Sequence, residues 1–243
     1  MNKLEKQLDP TLILDRLDIK YPIIGLYNAP DSKPFQPLVK PSDGDCIFLY
    51  FKDWLKGKTL YLSKHHYGCG GCGRWMFGIQ TRSRKDFIKF LVEGEGLKAS
   101  HELMEKWIDS ETPKPPKYPF FFVGPFKTDQ WNYILSITFL VNPDQLSALT
   151  IGAQYFSRPS DVTPVITPFG SGCSELWRFD DQDSPQAVIG TTDIAMRPHI
   201  PPEILAFTVT KKMFSQLCTL DEKSFLFKPF LERLKKSRGG TLG

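Results

Sequence analysis

The two halves of this chain run through the same series of elements, and that order constrains the fold more than any single motif. Each half offers a strand, a loop, a cysteine at the start of a helix (Cys46, Cys173), a second strand (58–62, 187–189), a glycine-bearing turn (68–73, 190–193) and a later helix. Such alternation predicts a mixed α/β fold of two similar lobes, with short mixed sheets covered by helices. Shared identities are few, so an internal duplication and the ordinary order of any α/β chain both explain it. The stiff run E-T-P-K-P-P-K-Y-P at 111–119 reads as a connector. It divides an N-terminal lobe, 1–110, from a C-terminal lobe, 120–236, with a disordered tail at 237–243.

Local patterns place the individual elements. Leucines at roughly helical spacing over 3–18, interrupted by Pro10, predict one kinked helix or two short ones, and the short apolar run Pro22–Tyr27 reads as a buried strand. A helix from about Asp45 to Leu55 would hold Cys46 in its first turn, followed by a strand at Thr59–Leu62. Ser83 and Ser100 are caps for helices over 83–92 and 100–108. Strands follow at Phe120–Val123 and Ile134–Val141, and Asn142-Pro143 is a strong helix start. Beyond the loop 157–172, the pattern predicts a short helical stretch through Trp177, a strand at Ala187–Ile189, a helix from Pro201 to about Leu217 and another over 224–235.

Composition excludes several classes of function. With 41% hydrophobic residues the chain can bury a real core. Its net charge of +4 is too small to predict nucleic-acid binding, and part of it sits in Lys235, Lys236 and Arg238. The first ten residues mix acids with apolar side chains, unlike a secretory signal, and no apolar run reaches the ~18 residues that span a bilayer. A cytoplasmic protein without a membrane partner is the expectation, its five cysteines being thiols or metal ligands and not a disulfide framework.

The stretch Lys64–Gly78 gathers two cysteines, two histidines and five glycines into fifteen residues. Cys69-Gly70-Gly71-Cys72 is a C-x-x-C whose glycines let both sulfurs turn to one point while N–H groups approach them, which suits zinc or an iron–sulfur cluster. One such pair needs further ligands, from Cys46, Cys173, His65 or His66. Thiols at Cys46 and Cys173 would have their thiolates favoured by a helix start.

These features, with F-G-S-G-C at 169–173, A-V-I-G at 187–190 and I-P-P-E-I-L at 200–205, resemble the ArCR family, a domain-of-unknown-function family of bacteria and archaea. The resemblance runs over roughly residues 20–217. It implies cysteines at positions matching Cys46, Cys69 and Cys173 and a further Gly-Cys after the last strand. Here Gly190 is followed by Thr191, and Cys72 is the nearby thiol that would replace the missing one. The family lends a two-lobed α/β expectation and no activity.

Three chemistries compete for these residues. Cys69, Cys72 and Cys173, with Cys46 as a fourth ligand, favour an iron–sulfur cluster; two thiols with His65 or His66 favour zinc, although so short a His-to-Cys interval needs a sharp fold-back. A redox dithiol ranks below both, because the glycines around Cys72 disfavour the helix such motifs open. Gly70, Gly71, Gly170 and Gly172 offer backbone N–H groups to a cofactor or anion, with Arg158 or Arg197 supplying charge. A metal-free alternative is a small-molecule pocket between the lobes lined by Tyr67, Trp75, Tyr155 and Arg158. Neither a P-loop nor G-x-G-x-x-G is present. The sequence names neither a small-molecule nor a redox partner.

Overall fold

The computed structural model describes residues 8–63, 65–110, 116–158, 165–166 and 184–243. Cys173, Gly170 and Gly172 lie outside them. Among the described residues eight strands form one mixed sheet: β1 (Ile24–Ala29), β2 (Leu38–Val39), β3 (Thr59–Leu62), β4 (Phe120–Pro125), β5 (Ile134–Val141), β6 (Val165–Ile166), β7 (Ala187–Gly190) and β8 (Leu205–Val209). Their order is β2-β3-β4-β1-β5-β8-β7-β6.

That order reads the same from either edge when β1–β4 are exchanged for β5–β8. The parallel β2/β3 pair matches the parallel β6/β7 pair, and every other neighbouring pair is antiparallel. Register follows the same rule. Superposing Leu60–Leu62 on Val188–Gly190 carries their partners Val123–Phe121 onto Thr208–Ala206, and these carry Leu26–Asn28 onto Thr138–Leu140. The central pairing closes the relation, since Ile24 faces Thr138, Leu26 faces Ser136, and Gly25 faces Ile137 between them. The halves are therefore related in topology but are not separate lobes, because their sheets are one sheet. Nor does 111–119 separate them: β4 follows it and pairs with β1 and β3 of the first half.

Alternation along the strands assigns side chains to two faces. One face carries Tyr27, Phe122, Ile137, Phe139, Phe207 and Val209 under the helices Thr11–Arg16, Pro143–Gln154, Lys211–Cys218 and Pro229–Ser237. The other carries Ile24, Leu26, Leu60, Leu62, Phe121 and Val123, covered by Ile47–Leu55, by Tyr67 and Phe77 of the Gly/Cys stretch, and by Met196, Ile200 and Ile204. Each such side chain, buried in full, contributes about 1.5–3 kcal/mol. Arg84–Lys89 and His101–Ser110 form a third, smaller cluster, into which Trp75 stacks on Phe87 at 5.4 Å.

Helix starts follow the caps read from sequence. Asn142 Oδ1 accepts from the Gln145 N–H at 2.9 Å while Gln145 Oε1 accepts from the Asn142 N–H at 3.0 Å, a full capping box. Ser83 accepts from the Asp86 N–H at 3.2 Å. The predicted helix from Pro201 divides instead: Leu205–Val209 is strand β8, and Thr210 caps a helix only from Lys211. Paired on both sides, by β5 and β7, those residues bury Ala206 to Val209, and tertiary pairing outweighs their helical spacing. The tail expected to be disordered is docked. Leu242 is only 4% exposed, its N–H donates to Asp18 Oδ2 at 3.0 Å, and Lys235 pairs with Asp18 at 2.9 Å.

Gly25, at the centre of the β1/β5 pairing, has a role of its own. A Cβ there would stand 2.5 Å from the Tyr27 ring, which folds back over its own strand beside the register shift between Leu26 and Tyr27. The Tyr27 hydroxyl donates to the Pro125 carbonyl at 3.0 Å and accepts from the Lys127 N–H at 2.7 Å. Tyr27→Phe should lower stability by about 1–3 kcal/mol, because both partners lose a buried hydrogen bond. Urea denaturation measures this as a lower midpoint at unchanged slope; an unchanged midpoint would show that the hydroxyl does not anchor the strand.

Candidate functional site

A backbone contact makes this site. Gly68 lies so close to the turn at 42–45 that a Cβ would meet Ser42 O at 2.4 Å and Asp45 O at 2.5 Å, so only glycine fits. The Gly44 N–H donates to Gly68 O at 2.8 Å, and Asp45 is held by the Tyr50 hydroxyl at 2.7 Å. The chain on either side of this contact bears Cys46 and Cys69, and both thiols, partly buried, pack against the same apolar cluster.

The rest of the Gly/Cys stretch is fastened around them. Arg74 donates to Tyr67 O at 2.6 Å and to Thr81 Oγ1 at 3.1 Å. Gly70 O accepts from Gln80 Nε2 at 3.0 Å and from Arg82 Nη1 at 3.1 Å, while Arg82 lies 3.9 Å over the Phe90 ring. The Gly71 N–H donates to Cys69 Sγ at 3.3 Å, the kind of N–H···S contact expected of the loop. Gly70 and Gly71 thus serve the loop and the thiol directly.

Two local expectations need correction. Cys46 is not in the first turn of an α-helix: it precedes a 3₁₀ turn, Ile47–Tyr50, that leads into a short helix, Phe51–Leu55. Its thiol is pushed up to about 11, chiefly by burial, with a Phe48 N–H opposing and Cys69, Asp193 and Asp45 adding to the rise. Burial also raises the Cys69 thiol, against the Gly71 N–H; Glu95 and Asp193 raise it further and Arg82 lowers it. Neither thiol is activated as a thiolate. Secondly, the glycines do not prevent a helix after Cys69, since Cys72–Met76 forms a short one. Its rim contacts come from Trp75 in the third cluster and Phe77 against Phe121 at 4.7 Å.

The remaining candidates disperse. His66 Nδ1 lies 3.2 Å from Ser63 Oγ and its ring 5.5 Å from Tyr61, which belongs to the opposite face, and His65 is exposed. Among the described residues no group of three or more His, Cys, Asp or Glu side chains stands ready to hold a metal ion. Arg197 is occupied as a clamp, donating to Ile204 O at 2.5 Å and to Pro202 O, and leaves the anion role. Arg158 is exposed just beyond helix Pro143–Gln154. Tyr67 and Trp75 lie in the second and third clusters, whereas Tyr155 ends a helix packed on the opposite face, so these residues do not line one pocket. Cys218, pushed up to about 12 by burial, packs against the other face as a structural thiol.

Sequence reasoning passed over Asp193, Glu95 and Arg82, whose charges act on the Cys69 thiol. No spacing rule links them to Cys69; Asp193 was visible only as part of a glycine-bearing turn.

These thiol environments set a reactivity. Iodoacetamide should label Cys46 at neutral pH about a hundredfold more slowly than an unperturbed thiol, with a rate that climbs until about pH 11. Mass-spectrometric labelling across pH measures it, and fast modification at pH 7 would contradict the buried, protonated thiol.

Among the described residues no helix is long and apolar enough to cross a membrane. No curated protein and no solved structure matches the chain. A family model, DUF169, described as uncharacterised ArCR, matches residues 13–219, which includes every strand and both thiols of the site. By that match the chain belongs to the uncharacterised ArCR family.

Proposed function

We propose that the protein binds a metal cofactor, an iron–sulfur cluster in the first instance, through Cys46, Cys69, Cys72 and Cys173. The observation that carries this reading is the glycine-only contact at Gly68, which joins two separate stretches of chain so that Cys46 and Cys69 share one buried cluster. Apolar surroundings hold these thiols protonated, which suits them poorly to nucleophilic attack. A metal changes the balance, because binding displaces the thiol protons and the sulfurs then carry charge only against the cation. An N–H already directed at Cys69 Sγ would remain as a hydrogen bond to the bound thiolate.

Cys72 opens the helix three residues after Cys69, at the spacing of a chelating pair. Support for Cys173 comes from the matched strands. Cys46 stands seven residues after Val39 of β2, and Cys173 stands seven after Ile166 of β6, its counterpart. Zinc is the alternative occupant for the same thiols.

Purification of the full chain under anaerobic, reducing conditions tests this reading. Brown protein containing iron and acid-labile sulfide in comparable amounts is the expected result; stoichiometric zinc without sulfide would replace the cluster by a zinc site. Colourless protein free of both metals would remove the proposal.

A further inference from the structure

Residues 241–243 are seated as a ligand is seated. On the sheet face opposite the thiols, the bend at Leu17 and Asp18 meets the start of helix Pro143–Gln154, and the segment Thr241-Leu242-Gly243 lies in the notch between them. The capping box builds this notch. Asn142 and Gln145 each use one end of the side-chain amide to close the helix, and the other ends face the bend and the segment. Gln145, buried, donates through Nε2 to Leu17 O at 3.1 Å and to Asp18 O at 3.0 Å. These bonds hold Asp18 at φ 53°, a backbone region that a residue with a Cβ rarely adopts and that persists where its surroundings fix it.

The segment is read atom by atom. Asp18 Oδ2 accepts from the Leu242 N–H at 3.0 Å, and Asn142 Nδ2 donates to the Leu242 carbonyl, so one residue's main chain is held at both of its polar groups. The Leu242 side chain joins the apolar cluster of that face. At the next position Lys20 Nζ donates to Gly243 O at 2.5 Å. A Cβ on Gly243 would stand 2.7 Å from Asp18 O and 2.8 Å from Gln145 Nε2, which restricts that position to glycine.

The connection to the segment is short and separately anchored. Helix Pro229–Ser237 ends at Gly239 and Gly240, at φ 84° and 106°, and Lys235 and Arg238 pair with Asp18 and Asp144 at 2.9 and 2.7 Å. The family match, 13–219, contains every residue of the notch and none of the segment that fills it.

We propose that this notch is a peptide-binding site for an extended Thr-Leu-Gly segment, filled in cis by residues 241–243 and open to the same segment of a second copy once the cis segment is unseated. It has the parts of a peptide site: paired main-chain hydrogen bonds for affinity, a buried apolar anchor, and a glycine-only position for selection. None of these contacts requires the segment to belong to the same chain. The short linker gives the cis segment an effective concentration of about millimolar, so it excludes the second copy in dilute solution.

The probe is a fluorescently labelled peptide with the sequence of residues 237–243, titrated by anisotropy into the unaltered full chain and into two full-length variants that unseat the segment, Leu242→Asp and Gly243→Val. Binding to both variants about tenfold or more tighter than to the unaltered chain is the expected result, with a peptide carrying Ala in place of the leucine weakened about tenfold or more against the same variants. Equal binding to all three proteins would place the peptide elsewhere and overturn the proposal. Absence of binding to both folded variants would overturn it as well. Loss of the cooperative thermal melt in both variants would show that the segment is a part of the core and not a ligand, and would equally overturn it. The thiols lie on the other face, so none of these outcomes bears on the metal-binding reading.

Discussion

Everything on the thiol-bearing face depends on the pairing of β1 with β5. These two strands join the halves into one sheet, and the pairing is self-consistent about Gly25 and Ile137, so neither strand can slip by one residue without turning its apolar side chains to the wrong face. The glycine at that centre also admits the Tyr27 ring, whose hydroxyl fixes the chain leaving β4. One sheet results, wide enough that segments arriving from its two halves cover the same face.

The two halves are matched in topology and different in chemistry. Positions occupied by Ile24, Leu26 and Val123 in the first half are occupied by Ser136, Thr138 and Thr208 in the second, all buried. Thr138 and Thr208 satisfy one another at 2.8 Å, which lets a polar pair sit in a sheet interior at little cost. In the same way the turn after β3 became a glycine- and cysteine-rich stretch, while its counterpart after β7 carries Asp193 and an arginine clamp. Differences of this kind let a symmetric frame carry different chemistry on its two halves.

Much of the frame was legible in the sequence because its signals are local. The strands Ile134–Val141 and Thr59–Leu62 and the Asn142 cap depend on apolar runs and on one capping residue, and they stand where those signals put them. Strand β8 was hidden because Leu205–Val209 is buried through pairing on both sides, which leaves no alternation to read. The ordered tail was hidden too, since Leu242 is held by Asp18, more than two hundred residues earlier. At the site, Cys69 and Cys46 announced themselves by residue type. What joins them, a missing Cβ at Gly68 against the backbone at 42–45, is visible only when the chain is folded, and the influence of burial on the Cys46 thiol ran opposite to the helix-start argument.

The account stands on Cys46 and Cys69 serving a single bound centre. Metal analysis of Cys46→Ser protein beside unaltered protein, both purified anaerobically in full length, tests this most directly. Loss of most of the bound metal in the variant, with folding retained by circular dichroism, is the predicted result. Metal retained at the unaltered stoichiometry would show that Cys46 takes no part and would contradict the account.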